Sequence, residues 1–81
     1  MTLSVQLFAI LRDIATASHV VVELQHHATV ADLRLALIAI HPNLAPLLSH
    51  CRIAVNHDFA EDSHVLMPTD EVAVIPPVSG G

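Results

Sequence analysis

The sequence predicts an α+β domain in which a mixed β-sheet lays one face on one main helix. Three observations predict it. Two strand-like segments open the chain, one alternating at Leu3, Val5 and Leu7 and one β-branched at Val20-Val21-Val22. A single well-signalled helix follows, capped at Thr29 and stopped at Pro42. The chain then returns to extended segments and reaches a final apolar run, Val72-Ala73-Val74-Ile75. Alternation at period two marks half-buried strands, whereas apolar spacings of three and four mark a helix lying on a core.

Taken in order, Thr2 to Ala9 puts Leu3, Val5 and Leu7 on one face and Ser4 and Gln6 on the other. Phe8 shares the parity of the polar residues, so it is expected at the surface. Ile10 to Thr16 is a connection with room for one helical turn. Val20 to Leu24 is a second strand, close enough to the first for an antiparallel hairpin. No Asn-Gly or similar pair offers a tight turn, so the loop is expected to be long. Thr29 is a good N-cap, and Asp32 three residues later sits at the dipole-positive end, close to a capping box. Val30, Leu33, Leu37 and Ile40 form the expected buried stripe. Leu35 and Ile38 fall off that stripe and need cover, for which the segment Asn43 to Ser49 is available. Pro42 ends the helix and drives His41 out of helical geometry.

Arg52 to Asn56 reads as a third strand and Asp58 to Ala60 as a short fourth, turned at Asn56-His57, where asparagine tolerates left-handed geometry. Val65-Leu66 is a further extended piece, and Pro68-Thr69-Asp70 is a turn. Glu71 to Ile75, apolar after its first residue, is expected to be central, with the first strand parallel beside it. This order is the ubiquitin-like β-grasp pattern. Residues 1–75 form the domain, and residues 76–81 are an extended tail ending in Gly-Gly.

Composition narrows the function. The chain has 81 residues, 53% of them hydrophobic, but its only aromatics are Phe8 and Phe59, so aliphatic side chains must fill a modest core. No apolar run approaches a membrane span. Met1 to Gln6 lacks the basic region and apolar core of a signal peptide. The formal net charge is −5, and all three cationic residues, Arg12, Arg34 and Arg52, are arginines. Nucleic-acid binding draws mainly on cationic contacts to phosphate, so that class is excluded, and an acidic surface suits basic protein partners. A chain without lysine also offers no side-chain amine to an activated carboxylate of its own. The single cysteine, Cys51, excludes an internal disulfide and suits a reducing cytoplasm.

The chemistry-bearing residues form no familiar constellation. The seven histidines, His19, His26, His27, His41, His50, His57 and His64, lack metalloprotease or zinc-finger spacing, so no metal site is expected. Their expected effect is a surface whose charge changes between about pH 5 and 8. Cys51 carries no nucleophile signature and reads as a buried thiol. Asp58, Glu61, Asp62, Asp70 and Glu71 read as a solvated acidic rim. With no glycine before Gly80 there is no phosphate-cradling loop, so no nucleotide cofactor is expected on this chain.

The stretch with the clearest design is Pro76-Pro77-Val78-Ser79-Gly80-Gly81, which holds both glycines. Two prolines make a stiff, extended exit. Glycine has no Cβ, so the last two residues can thread a narrow channel and leave a carboxylate unhindered. Six extended residues reach about 20 Å, enough to enter another protein's active site. On composition alone, a frayed end or a cloning remnant is the better reading.

Taken with Asp70-Glu71-Val72-Ala73-Val74-Ile75, this tail resembles the C-terminus of the molybdopterin synthase sulfur-carrier (small) subunit, a family of ubiquitin-like sulfur carriers. Leu7-Phe8-Ala9, Leu11-Arg12-Asp13 and Ala54-Val55-Asn56 extend the resemblance along the chain, while Pro68-Thr69 departs from the family's glycine-bearing turn. The resemblance implies that the Gly81 carboxylate is adenylated by an E1-like enzyme using ATP and converted to a thiocarboxylate with sulfur from a donor enzyme. The tail then enters the molybdopterin synthase large subunit and gives sulfur to a cyclic pyranopterin. The resemblance thus implies a non-catalytic, sulfur-donating member of a heterotetramer, with catalytic groups on the large subunit. The resemblance also implies a docking patch of Phe8, Phe59 and Ile75. Without it, both phenylalanines would be assigned to the core. Two other readings share the fold and the Gly-Gly end. One is a sulfur carrier for another pathway, such as thiamine thiazole synthesis. The other is a protein modifier or plain interaction domain.

Overall fold

A computed structural model describes residues 1–77. The elements run β1 (Thr2–Leu7), α1 (Ile10–Ala15), β2 (His19–Glu23), α2 (Val30–Ile40), a 3-10 turn (Pro42–Leu44), α3 (Ala45–Leu48), β3 (Arg52–Val55), β4 (Asp58–Ala60) and β5 (Val72–Ile75). Among the described residues the strands form one sheet in the order β2-β1-β5-β3-β4. The β1–β2 pair is antiparallel, with Leu3 opposite Val22 and Val5 opposite Val20. The β1–β5 pair is parallel, with Val5 beside Val72 and Leu7 beside Val74. β3 runs antiparallel to both β5 and β4. This is the β-grasp, with β5 central as its apolar sequence demands.

Alternation decides which face is dry. Leu3, Val5 and Leu7 are buried, and so are Val20, Val22, Ile53, Val72 and Val74. Helix α2 covers that face through Val30, Leu33 and Leu37, all with no exposed surface. Thr29 caps α2 with a complete capping box: its Oγ1 accepts from the Asp32 amide, and its own amide donates to the Asp32 carboxylate at 2.9 Å. Helix α1 occupies the long β1–β2 loop and inserts Leu11. The 3-10 turn and α3 close one end with Leu44 and Leu48, and Leu66 fills the gap under the last loop. No polar side chain among the described residues is buried.

Three sequence expectations need correction. Ile40 is 47% exposed and leaves the buried stripe, because α2 ends there at His41 and runs past the core. The segment after α2 shields Ile38 only partly and leaves Leu35 exposed. The acidic residues are not merely solvated. Asp62 pairs with Arg34 at 2.9 Å, and Asp70 accepts from the Asn56 amide group at 2.9 Å and the Met67 backbone at 2.8 Å.

The fold makes its turns without glycine. Ala9, Thr16, His27, Asn56 and His57 all have positive φ. Asn56 and His57, at φ 52° and 71°, form the two-residue β3–β4 turn. Two consecutive positive-φ residues suit the right-handed twist of a hairpin. Asn56 also ties this turn to β5. Its Oδ1 accepts from the Glu71 amide at 2.9 Å, and its own amide nitrogen donates to the Glu71 carbonyl at 2.8 Å. Ala9 takes φ 52°, ψ −127°, and the Leu11 amide donates to the Phe8 carbonyl at 3.1 Å across it. That is the first central position of a type II′ turn, where glycine is at home and alanine is strained.

Two stability outcomes are expected. Ala9→Gly relieves the strained φ at some cost in unfolded-chain entropy, for a net stabilisation of about 0.5–1 kcal/mol. A thermal melt followed by circular dichroism reads this as a midpoint several degrees higher; an unchanged or lower midpoint contradicts it. Asn56→Ala removes two side-chain hydrogen bonds and places a Cβ-bearing residue without asparagine's tolerance at positive φ, for a loss of about 2–3 kcal/mol by urea unfolding. Asn56→Gly keeps the turn geometry and should lose clearly less. Equal losses for the two variants would show that the side-chain bonds alone matter.

Candidate docking face and tail exit

The helices take one face of the sheet, so the other is open to solvent. On it the strands present the residues of opposite parity: Gln6 from β1, Ala73 and Ile75 from β5, Ala54 from β3 and Phe59 from β4. Ala54 stands directly opposite Phe59 and directly opposite Ala73, and Gln6 lies beside Ala73 in the parallel pair. Phe8 follows the last residue of β1, and one further step of that register brings it beside Ile75. These side chains line one shallow pocket of about 350 Å³ that also includes His57, Glu71 and Val72. Phe8 is 38% exposed and Phe59 55% exposed, which is high for the only two aromatic residues of a chain with an aliphatic core. Contiguous exposed apolar surface on a small domain marks a place where another molecule sits.

The geometry therefore gathers Phe8, Phe59 and Ile75, three residues from three separate strands or their ends, into one surface. Ile75 is half-buried, being held between neighbouring strands. The tail leaves from this surface, since Pro76 follows Ile75 directly at the end of β5. Pro76 is half-buried and Pro77 exposed. Val78, Ser79, Gly80 and Gly81 lie outside the described residues.

The sequence reading did not find Arg52. It lies opposite Ile75 in the β3–β5 pairing, and its guanidinium carbon stands 3.6 Å from the centroid of the Phe59 ring. A guanidinium stacked on an aromatic face is a cation–π contact. The signal for it was present: a two-residue turn at Asn56-His57 makes Ala54 and Phe59 opposite, which puts Arg52 on the diagonal. Within the pocket lining, His57 Nε2 lies 3.4 Å from Glu71 Oε2 with both side chains exposed.

The remaining reactive groups are accounted for by the fold. Cys51 is buried, and its Sγ donates to the Leu47 carbonyl at 3.1 Å. Burial pushes this thiol above its ordinary pKa, against a smaller opposing effect of Arg34, so it stays neutral and is a poor nucleophile at pH 7. Arg34, also absent from the sequence reading, is a structural tie. Its Nε donates to Asp62, its Nη1 to the Leu48 carbonyl and its Nη2 to the Cys51 carbonyl at 2.9 Å. Among the described residues no group of three or more histidine, cysteine or acidic side chains is placed to hold a metal ion. No helix there is long and apolar enough to cross a membrane.

Comparison with known proteins gives this arrangement a lineage. The model of the ThiS family matches residues 5–81. A molybdopterin synthase sulfur carrier subunit from Chlamydomonas reinhardtii is 37% identical over 83 residues, covering 100% of both chains. The crystal structure of SAMP1 from Haloferax volcanii superposes with a TM-score of 0.89 at 31% identity, again over 100% of both chains. A chain in the complex of subunits 1 and 2 of molybdopterin-converting factor from Helicobacter pylori shares the fold, with a TM-score of 0.70 at 24% identity over 100% of both chains. By the family match and by full-length identity to a carrier subunit, the chain belongs to the ThiS family of ubiquitin-like sulfur carriers.

Proposed function

We propose that this chain is the sulfur carrier subunit of a molybdopterin synthase, working in the cytoplasm. The observation that carries the reading is the exit of β5 directly from the exposed Phe8–Phe59–Ile75 surface, continued by Pro76-Pro77-Val78-Ser79-Gly80-Gly81. A docking surface and a reactive end are thereby joined by a short stiff segment. The full-length identity to a carrier subunit supports the same reading.

The chemistry follows from the carboxylate. A glycine carboxylate is a poor electrophile, because its negative charge repels nucleophiles and oxide is a poor leaving group. An E1-like partner joins it to the α-phosphate of ATP and releases pyrophosphate. The acyl carbon then carries AMP as its leaving group. The terminal sulfur of a donor enzyme's persulfide attacks that carbon, AMP departs, and a thiol then cleaves the resulting S–S bond, leaving a thiocarboxylate on Gly81 and a disulfide between the thiol and the donor. The carrier docks on the synthase large subunit through Phe8, Phe59 and Ile75. Its tail, with a reach of about 20 Å, brings the sulfur to a cyclic pyranopterin. Each carrier supplies one sulfur atom; two carriers and two large subunits make the heterotetramer. The carrier itself contributes position and a reactive atom, and the large subunit contributes the catalytic groups.

One observation favours a second reading. The likeness to a small archaeal modifier protein from Haloferax volcanii, 34% identical over 84 residues, suits a carrier that also ends on an amine of another protein. The shared fold likewise suits a carrier serving thiamine thiazole synthesis. Intact mass separates these readings. A sulfur carrier gains the oxygen-to-sulfur increment after incubation with its activating enzyme, ATP and a sulfur source, whereas a modifier appears as slower-migrating conjugates. Binding to a synthase large subunit or to a thiazole synthase separates the two sulfur pathways.

Two outcomes test the main reading. Deleting Gly81 draws the carboxylate back by about 3.5 Å. It should abolish both adenylation and sulfur transfer with the thermal midpoint unchanged; retained cofactor synthesis by the shortened chain would sink the tail assignment. Phe8→Ala and Phe59→Ala should each weaken binding to the large subunit by roughly 1–3 kcal/mol in calorimetric titration, with little loss of stability because both rings are already exposed. Unfolding of either variant, with normal binding per folded molecule, would return that ring to the core.

A further inference from the structure

Docking through the Phe8–Phe59–Ile75 surface has a consequence for Arg52. The guanidinium lies on the face of the Phe59 ring, 3.6 Å from its centroid, so a partner that covers the ring also removes water from the cation. Arginine carries five N–H donors and does not shed its charge, so desolvation without an acceptor is strongly unfavourable. Among the described residues the carrier supplies no such acceptor. Among the described residues the ion pairs are Arg34–Asp62 and His57–Glu71, and Arg52 makes neither an ion pair nor a hydrogen bond through its side chain. This is notable in a chain with eight acidic residues and three arginines. Arg52 is thus a cation held in place by an aromatic ring, with its hydrogen-bonding capacity directed to solvent.

Its place on the face is specific. Arg52 stands opposite Ile75, the last residue of β5 and the one before Pro76, so it marks the end of the strip from which the tail departs. Glu71, 77% exposed in its side chain, precedes β5 at the opposite end. Four residue steps along the extended strand separate Glu71 from Ile75, a span of about 13 Å. The strip is therefore apolar in the middle, cationic at the tail end and anionic at the far end. A partner seated on it meets a fixed electrical polarity as well as a shape.

We propose that Arg52 is a specificity-determining residue of the docking face, and that it pairs with a carboxylate side chain of the synthase large subunit placed beside the mouth of the channel that receives the tail. The inference rests on the docking reading above. The fork geometry of arginine suits a two-point contact with a carboxylate, which fixes direction as well as position. Such a pair admits the carrier with its tail toward the channel and disfavours the reversed orientation, which would set the partner's carboxylate against Glu71. The rest of the acidic carrier favours a partner that is otherwise basic, so the matching feature is a local acidic point within a basic and apolar surface.

The test measures association of the full-length carrier with the molybdopterin synthase large subunit of the same organism, by stopped-flow and calorimetric titration over a series of salt concentrations. Four carriers are compared: Arg52→Gln, Arg52→Glu, Arg52→Lys and Phe59→Ala. Arg52→Gln should lose affinity by about thirty-fold or more and show a shallower salt dependence of the association rate. Arg52→Glu should be weaker still, and Arg52→Lys should keep the salt dependence while recovering only part of the affinity. A merely structural role, in which Arg52 only props the Phe59 ring, would lower affinity without changing the salt dependence, and that result overturns the inference. So does an Arg52→Gln carrier that binds like the parent. If in either case Phe59→Ala still weakens binding, the docking face stands and only the role of Arg52 falls. If Phe59→Ala also binds like the parent, the docking reading fails and takes this inference with it.

Discussion

The parallel pairing of β1 with β5 is the constraint on which the rest of the structure depends. It joins the first strand of the domain to the last, with Val5 beside Val72 and Leu7 beside Val74. Parallel neighbours cannot be linked by a tight turn, so between β2 and β3 the chain must cross over one face of the sheet to reach the far side of β5. That excursion is what lays α2 across one face and brings β3 and β4 to the other side of β5. Because one face is covered by the excursion and the other is not, the same pairing creates the dry core and the open surface. The residues of the open face are the opposite-parity partners of the core residues: Gln6 between Val5 and Leu7, Ala73 and Ile75 alternating with Val72 and Val74. Core and site are two readings of one alternation.

What is local in the chain was legible from it. The β1 alternation, the Thr29–Asp32 capping box, the stop at Pro42 and the Asn56-His57 turn each depend on residues a few positions apart, and each stands where those residues place it. Phe8 was legible as a surface residue because parity alone assigns it to the polar face. The misreadings have a common cause in relations across long separations. Ile40 has the right spacing for the helical stripe, but the core ends before it, and only the sheet's extent shows that. Arg34 reads as an ordinary helical arginine until α3 and the loop at Asp62 are folded around it. Asp70 looks like one more solvated carboxylate until the β3–β4 turn brings Asn56 within 2.9 Å.

The glycine economy of the chain was visible in composition but not its effect on the backbone. Turns that glycine would make without strain are made here by Ala9, Thr16, His27, Asn56 and His57. Asn56 offsets its positive φ with hydrogen bonds to both Asp70 and Glu71. Ala9 has no side chain with which to do so, and it lies directly between the exposed Phe8 and the first residue of α1. Strain retained next to an exposed aromatic ring fixes how that side chain is presented, at some cost in stability. In this chain the presented side chain is one of only two aromatic rings.

The position of β5 also determines how the domain responds to force. The strand is flanked on both sides, by β1 running parallel and β3 running antiparallel, and Pro76 follows its last residue directly. A pull applied along the strand axis at Ile75 meets both neighbours. It loads the hydrogen bonds on both flanks at once, in shear, rather than peeling them one after another. A hairpin edge such as β4 would unzip under the same load. The last strand is therefore a mechanical anchor for whatever load reaches the domain through its C-terminal end.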